Sequence, residues 1–177
     1  HVYTNMRCGN HRFCELFNEL FKPNARLQKE IDFHHSHLTG KYISISFRFT
    51  TLLGDFTDCT GAPLPEAERI KLIQQSLDVV EKIKVSAPAH NMVLVTADSE
   101  RFLAEVSKLA GVYVIPGKVG HIDYDHGDDV NMKTFLDFFL ISGAQKVYLA
   151  KGKGMYNSAF AKTAALVNNR EFEMYEY

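Results

Sequence analysis

Apolar and polar residues follow two different rhythms along this chain. Residues 11–21 and 24–38 carry apolar side chains three and four positions apart, which is typical of one face of a helix. Residues 42–49 instead alternate isoleucine and phenylalanine with serine and arginine, a period of two that predicts a strand. We therefore expect the chain to open with two helices before its first strand.

Helix and strand signals then alternate to the C-terminus. Strands are predicted at residues 92–96, 112–115 and 147–150, with an edge strand in the tail at 171–177. Helices are predicted at residues 65–84, 98–110 and 129–142, and from 157 or 158 onward. The long helix at 65–84 is expected to bury Ile70, Ile73, Leu77, Val80 and Ile83.

The internal strands are almost wholly apolar, as strands buried on both faces of a parallel sheet are. Alternating strands and helices with such strands predict an α/β fold, a three-layer Rossmann-like domain with a mostly parallel sheet. We expect residues 1–40 to form a helical N-terminal segment that joins a Rossmann-like domain at residues 41–177.

Composition narrows the classes of protein. The chain has 177 residues, of which 46% are hydrophobic and 23% charged, as in a globular domain. A net charge of −1 with thinly spread Lys and Arg argues against a nucleic-acid partner, and no apolar run approaches the length of a transmembrane segment. Three cysteines without metal-ligand spacing favour reduced thiols and a cytoplasmic location. The chain begins at His1 rather than Met, so we expect a piece of a longer protein.

Ligands of parallel sheets bind outside the carboxyl ends of the strands. Those ends fall at residues 48–51, 97–99, 116–120 and 151–156, and we expect them to line one crevice. The last unit, residues 146–165, is a strand, a glycine-bearing loop and a helix, which is suited to phosphate because a helix N-terminus presents N–H groups and positive dipole charge. The alternative is an ordinary turn into a helix capped by Asn157.

Two charged residues stand out in apolar surroundings. Arg48 ends the first strand and, if it points inward, requires an anionic partner. The alternatives are that it points to solvent or pairs structurally with Asp98. Asp137 lies in an apolar helix, where it is either a buried hydrogen-bond acceptor or a surface residue on a polar stripe with Lys133 and Lys146. The polar stripe favours the surface position for Asp137.

Metal-ligating residues are present but not in a metal-binding pattern. The histidines at 34, 35 and 37 cannot share one helix face, which favours an exposed, histidine-rich helix end. The acidic loop at residues 121–129 lacks the calcium-loop pattern and is expected to be a polar surface loop. We therefore predict no metal site.

Three short motifs carry a resemblance to a known family: Ser46-Phe-Arg48, Leu136-Asp137 leading into Ser142-Gly-Ala, and Tyr156-Asn-Ser158-Ala-Phe. Together they resemble the fucosyltransferase superfamily of GT-B fold, which includes α1,6-fucosyltransferases, the bacterial Nod-factor fucosyltransferase and protein O-fucosyltransferases. The resemblance covers roughly residues 40–168 and implies one half of a GT-B fold, the half that binds the nucleotide sugar.

The resemblance also implies roles for individual residues. Arg48 would hold the diphosphate of a GDP-sugar, Asp137 would hydrogen-bond guanine, and the loop before the last helix would hold the β-phosphate. The residues expected to bind the nucleotide sugar are Ser46, Arg48, Asp98, Asp137, Asn157, Ser158 and Ala159. No cofactor or metal is implied, because a cation and helix dipoles can stabilise a departing diphosphate.

Catalysis is expected to involve Arg48 and a general base. Ser46 stands where the family usually has histidine, and Phe56 stands where the α1,6-enzymes have glutamate. The base is therefore expected to be Asp55 or Asp58, or to come from another part of the protein.

A GT-B enzyme needs a second Rossmann-like domain for the acceptor, which 177 residues cannot supply. We expect this chain to be the C-terminal half of a metal-independent, fucosyltransferase-like glycosyltransferase, with GDP-fucose or a related GDP-sugar as substrate. Its partners would be a glycan or other acceptor and a missing N-terminal acceptor domain of the same protein. Two alternatives stay open: a non-catalytic nucleotide- or phosphosugar-binding domain, and a structural domain in which Arg48 merely pairs with Asp98.

Overall fold

The computed structural model describes residues 9–56, 61–87, 92–120 and 127–177. Within these residues, five strands form one sheet in the order β3-β2-β1-β4-β5, and every neighbouring pair is parallel. The strands are β1 (Tyr42–Phe47), β2 (Met92–Ala97), β3 (Val112–Tyr113), β4 (Lys146–Lys151) and β5 (Glu171–Glu176). The predicted parallel sheet is confirmed, and the tail is its edge strand beside β4.

Helices cover both faces of this sheet. They are α1 (Asn10–Leu20), α2 (Ala25–His37), α3 (Glu66–Ser86), α4 (Glu100–Val106), α5 (Asp128–Gly143) and α6 (Phe160–Val167). The buried side chains of α3 and α4 form one core cluster with one face of the sheet, and those of α2, α5 and α6 form a second cluster with the other face. The Rossmann-like α/β fold is therefore confirmed.

The strand β1 is the central strand of the sheet, and its side chains belong to the core clusters on both faces. Ile43, Ile45 and Phe47 belong to the core cluster with α3 and α4, whereas Tyr42 belongs to the cluster with α5 and α6. All six residues of β1 are buried, so its alternation of large and small side chains distinguishes two covered faces.

The order of the strands creates a crevice. From β1 the chain adds β2 and then β3 on one side, and α5 then carries it back to β4 on the other side of β1. Between β1 and β4 the direction of winding reverses, and ligands of open α/β sheets bind at such a switch point, at the carboxyl ends of the strands.

The N-terminal helices pack on the layer that contains α5 and α6. Leu27 of α2 belongs to the core cluster of that layer. In α1, the thiol of Cys14 donates to the carbonyl of Leu166 at 2.6 Å, and the ring of Phe17 lies 5.6 Å from that of Phe138. The division of the chain at residue 40 stays a prediction.

The predicted apolar face of α3 is partly wrong. Ile70 is 55% exposed, whereas Leu72 and Val79 are buried beside the expected Ile73 and Val80. The buried stripe begins at Leu72, so the first turn of the helix extends beyond the core. Among the described helices, none combines the length and apolar composition that a membrane crossing would need.

We predict that the contact between Tyr42 and Gly143 limits what can replace the glycine. The Tyr42 hydroxyl donates to the Leu140 carbonyl at 2.6 Å, and a Cβ at Gly143 would lie only 2.6 Å from that hydroxyl oxygen. Gly143→Ala should therefore lower the free energy of unfolding by about 1–3 kcal/mol, the usual cost of overpacking.

The same substitution should cost less in a Tyr42→Phe background, because the ring carbon Cζ would lie at an ordinary 3.7 Å from the new methyl. Urea unfolding of the wild type, both single variants and the double variant measures the coupling. Equal costs of Gly143→Ala in both backgrounds would contradict the prediction.

Candidate functional site

A cavity of about 310 Å³ lies where the carboxyl ends of β1, β2 and β4 meet α5 and the loop before α6. Its polar and aromatic wall includes Ser46, Arg48, Thr96, Asp98, Lys133, Asp137, Tyr156, Ser158 and Phe160. Val119 and Gly120, which follow β3, complete the set of strand ends expected at one crevice. The size is at the lower end of the range of small-molecule sites, roughly 300–1,000 Å³.

At the end of β1, a buried carboxylate organises the backbone. Asp98 accepts the N–H groups of Phe49 at 2.7 Å and Thr50 at 2.8 Å. Nε of Arg48 lies 3.2 Å from the same carboxylate, and the guanidinium carbon lies 4.7 Å from the centre of the Phe56 ring. The ion pair raised above as a structural alternative is therefore present, and Arg48 also lines the cavity.

The turn held by Asp98 is strained. Thr50 has a φ of 54°, a left-handed conformation that β-branched residues avoid. The N–H groups of Phe49 and Thr50 both donate to the Asp98 carboxylate, and these hydrogen bonds offset part of the free-energy cost of the strain. Burial raises the pKa of Asp98, and the charge of Arg48 and the two N–H groups oppose that rise.

On α5, Asp137 is paired with Lys133. The Lys133 ammonium lies 2.7 Å from Oδ1 and 2.8 Å from Oδ2 of Asp137, and the two side chains are only 5% and 14% exposed. The expectation that Asp137 lies on the surface is wrong, because the residue expected to share its polar stripe turns inward with it. Lys146 is at the start of β4, where it pairs with Glu171 and Glu173.

Lys133 is a cavity residue that sequence reasoning missed. It lines the same wall as Asp137 and was assigned only to a surface stripe. The signal that could have revealed it is the spacing of four between a lysine and an aspartate inside an otherwise apolar helix. Burial raises the pKa of Asp137, and the Lys133 ammonium opposes that rise.

The loop before α6 differs from the prediction. The helix begins at Phe160 rather than at residue 157 or 158, because the Ser158 N–H turns back to the Tyr156 carbonyl at 3.1 Å. The Ser158 hydroxyl accepts the N–H of Phe160 at 3.2 Å, so Ser158 rather than Asn157 stabilises the start of the helix.

The three loop residues expected to hold phosphate lie in different places. Ser158 lines the cavity of about 310 Å³. Asn157 is exposed and lines a second, shallower cavity with Thr51 and Lys151, whereas Ala159 is exposed at the start of α6. Only Ser158 therefore contributes a side chain to the wall shared by Arg48 and Asp137.

The other predicted site residues are divided between wall and scaffold. Ser46 is buried in the wall, with its hydroxyl 2.8 Å from that of Thr96. Asp55 accepts the Ser99 hydroxyl and the Arg101 N–H, each at 2.8 Å, so it holds the start of α4 and does not line either of these cavities. Asp58 lies outside the described residues, as does most of the acidic loop, residues 121–126.

The described part of the chain contains no group of three His, Cys, Asp or Glu side chains placed to hold a metal ion. The histidines of α2 are not all exposed as expected. His34 is buried, and its Nδ1 lies 2.7 Å from the hydroxyl of Tyr113, whereas His35 and His37 are exposed. Tyr113 lies 79 positions away in the chain, so the pattern of α2 alone does not reveal this contact.

No protein-family model and no curated protein matches this sequence. Two solved structures of NodZ α1,6-fucosyltransferase share its fold. The crystal soaked with GDP-fucose matches with a TM-score of 0.60 at 18% identity, over 90% of this chain and 47% of that one. The crystal grown with GDP matches with a TM-score of 0.59 at 20% identity, over 86% of this chain and 45% of that one.

A weaker match is the apo form of POFUT1, with a TM-score of 0.44 at 12% identity, over 86% of this chain and 46% of that one. The chain thus spans about half the length of the structures it matches. Its Rossmann-like sheet shares the fold of about half of the NodZ chain.

We predict that Asp98 is a main determinant of stability at this site. Asp98→Ala would leave the N–H groups of Phe49 and Thr50 without their acceptor and Arg48 without its carboxylate. The free energy of unfolding should fall by about 3 kcal/mol or more, as for a broken buried ion pair.

Asp98→Asn should cost less, because it keeps one oxygen acceptor for the turn. Asp78→Ala on the exposed side of α3 is the matched control, since that carboxylate accepts only from Gln74 among the described contacts. Urea unfolding compares the three variants, and an Asp98→Ala cost no larger than that of Asp78→Ala would refute the role of Asp98.

Proposed function

We propose that this chain is the nucleotide-sugar-binding half of a glycosyltransferase and binds GDP-fucose or a related GDP-sugar. The observation that carries the proposal is the cavity at the switch point of the sheet, which places an arginine at one strand end and a largely buried carboxylate, 14% exposed, on the facing helix. The shared fold with NodZ, solved with GDP and with GDP-fucose, supports the same ligand class.

The phosphate end of the ligand is proposed to lie at Arg48 and Ser158. A guanidinium carries five N–H donors in a fixed plane, and the Asp98 carboxylate orients that plane through Nε. α6 begins at Phe160, two residues after Ser158, and its first residues line the same part of the wall with their positive dipole end. Together these groups suit a diphosphate.

The base end is proposed to lie at Asp137. Guanine presents two neighbouring N–H donors, the ring N1–H and the 2-amino group, which one carboxylate can accept together. Asp137 contacts the Lys133 ammonium through both oxygens and lines the cavity from α5. Adenine has no such pair of donors, so this residue would favour GDP over ADP.

The transfer step is proposed to proceed without a divalent metal. As the bond from the sugar to the β-phosphate breaks, negative charge grows on the diphosphate, and Arg48 with the α6 dipole would stabilise it. Of the two carboxylates expected as general base, Asp55 holds the start of α4, which favours Asp58 or a residue of the acceptor domain.

The engagement of Asp55 also favours a second candidate, a domain that binds the nucleotide sugar without transferring it. The full-length protein, incubated with GDP-fucose and a panel of glycan acceptors, separates the two functions. Transfer of fucose supports the enzyme, and tight binding of GDP-fucose without transfer supports the binding protein.

We predict that GDP binds this chain in the presence of EDTA. The positive charge needed by the diphosphate comes from Arg48 and the dipole of α6, so a chelator should leave the dissociation constant unchanged. Titration calorimetry with GDP, with and without EDTA, measures this. Loss of binding in EDTA would overturn the metal-independent proposal, and absence of binding in both conditions would overturn the proposed ligand.

We predict that Asp137→Asn lowers the preference for GDP over ADP. The amide keeps one oxygen but presents an NH₂ group where guanine also offers a donor, which should cost about 1–3 kcal/mol in GDP binding. That cost corresponds to a loss of preference of about fivefold to 150-fold. ADP affinity should change little, because its contacts to Arg48 and Ser158 are retained.

Asp129→Asn is the matched control, since it removes the same charge from an exposed position of the same helix. Competitive titration of GDP and ADP against the wild type and both variants gives the ratios. If the ratio of GDP to ADP affinity is the same for Asp137→Asn as for the wild type, the guanine base does not bind at Asp137.

A further inference from the structure

The cavity wall contains a buried ammonium that the proposed function has not used. Lys133 as a whole residue is 4% exposed, and its Nζ lies within 2.8 Å of both oxygens of Asp137. Both residues line the cavity and lie one helical turn apart on α5. A positive and a negative group are therefore presented side by side to whatever occupies the cavity.

Stability alone is a poor explanation of this pair. Burying two charges costs desolvation free energy that apolar residues of similar size would not, and replacing such pairs is often neutral or stabilising. The order of the pair, with the cation N-terminal to the anion, is also the weaker order for an isolated helix. A role in binding a ligand in the cavity would explain why two charged residues, rather than apolar ones, lie there.

The loop after β3 holds Lys133 in this position. Gly117 has a φ of +133°, and a Cβ at Gly117 would lie 3.2 Å from Cδ of Lys133. The glycine lets the backbone pack closely on the aliphatic stem of the lysine. The ammonium is thus positioned before any ligand arrives, which reduces the entropy cost of using it.

The pair has hydrogen-bonding capacity left. An ammonium has three N–H donors, and Asp137, its hydrogen-bond partner among the described residues, takes at most two. A carboxylate has about four acceptor positions, of which the ammonium fills two. Among the described contacts, one donor beside two acceptors remains, and this is the complement of guanine, whose edge presents the O6 acceptor beside the N1–H and 2-amino donors.

We propose that Lys133 is a specificity-determining residue that donates to O6 of guanine while Asp137 accepts from N1–H and the 2-amino group. This inference rests on the proposed GDP-sugar function. Adenine presents an amino group at position 6 and an acceptor at N1. It would therefore place a donor against the Lys133 ammonium and an acceptor against the Asp137 carboxylate. Sites that hydrogen-bond a ligand group discriminate strongly against analogues that lack it.

Two analogues test the two contacts separately on the wild-type chain. 6-Thio-GDP replaces the O6 acceptor with sulfur, a weak acceptor, and keeps both N–H donors. IDP lacks only the 2-amino group and keeps O6. Calorimetry at neutral pH should show that each analogue binds about tenfold or more weaker than GDP, as for one lost contact to a charged group.

Lys133→Met then separates the contributions. Methionine keeps an unbranched stem against Gly117 and removes the ammonium. The preference for GDP over 6-thio-GDP should disappear, whereas the preference for GDP over IDP should persist through Asp137. Lys108→Met, at an exposed position outside the cavity, is the control for the change in net charge.

Each other outcome decides against the proposal. If both preferences persist in Lys133→Met, the lysine does not read the base, and if both fall together, it acts only by keeping Asp137 charged. Should the variant fail to fold, the wild-type comparison still decides, because equal affinities for GDP and 6-thio-GDP would exclude an O6 contact. Failure of the wild type to bind GDP would instead refute the proposed function itself.

Discussion

The carboxylate of Asp98 is the constraint on which the carboxyl edge of this sheet depends. The register of β1 against β2 pairs Phe47 with Ala97, so the next residues of each strand emerge side by side. Asp98 can then accept two successive N–H groups of the turn after β1 and contact Nε of Arg48. The Asp98 carboxylate thus both holds the strained turn and orients the Arg48 guanidinium, and these two features shape the cavity.

Much of the fold was predictable because burial leaves a strong signal in sequence. A strand covered on both faces must be apolar throughout, and residues 92–96 and 147–150 are. The alternation of such strands with helices dictates parallel pairing and right-handed crossovers, which leave few topologies. Glycine and proline mark most boundaries, whereas the start of α6 was missed because it depends on a single hydrogen bond between Ser158 and Tyr156.

The candidate site was predictable only where a residue's position in the chain decides its environment. Arg48 and Ser158 follow strand ends, and strand ends converge in this architecture, so both lie at the cavity. The burial of Asp137 was not predictable in this way, because the rotation of α5 depends on packing against the sheet and α6. The pair of Arg48 with Asp98 could be named from sequence only as one alternative, and the register of β1 against β2, which places the two residues side by side, decides for it.

The charges in the cavity explain why selectivity would reside at the base rather than at the phosphates. Among the described residues of the wall, the cations Arg48 and Lys133 are each matched by a carboxylate, Asp98 and Asp137. The diphosphate of the proposed ligand would therefore meet oriented N–H groups and a helix dipole but little net positive charge. Long-range electrostatic attraction therefore contributes less to the affinity for an anion than it does at an unpaired basic site. Directional hydrogen bonds contribute more, and they depend on the pattern of donors and acceptors that the ligand presents. The pairing that lowers the cost of burying each cation would thus also shift recognition toward the part of the proposed ligand that carries such a pattern, the base.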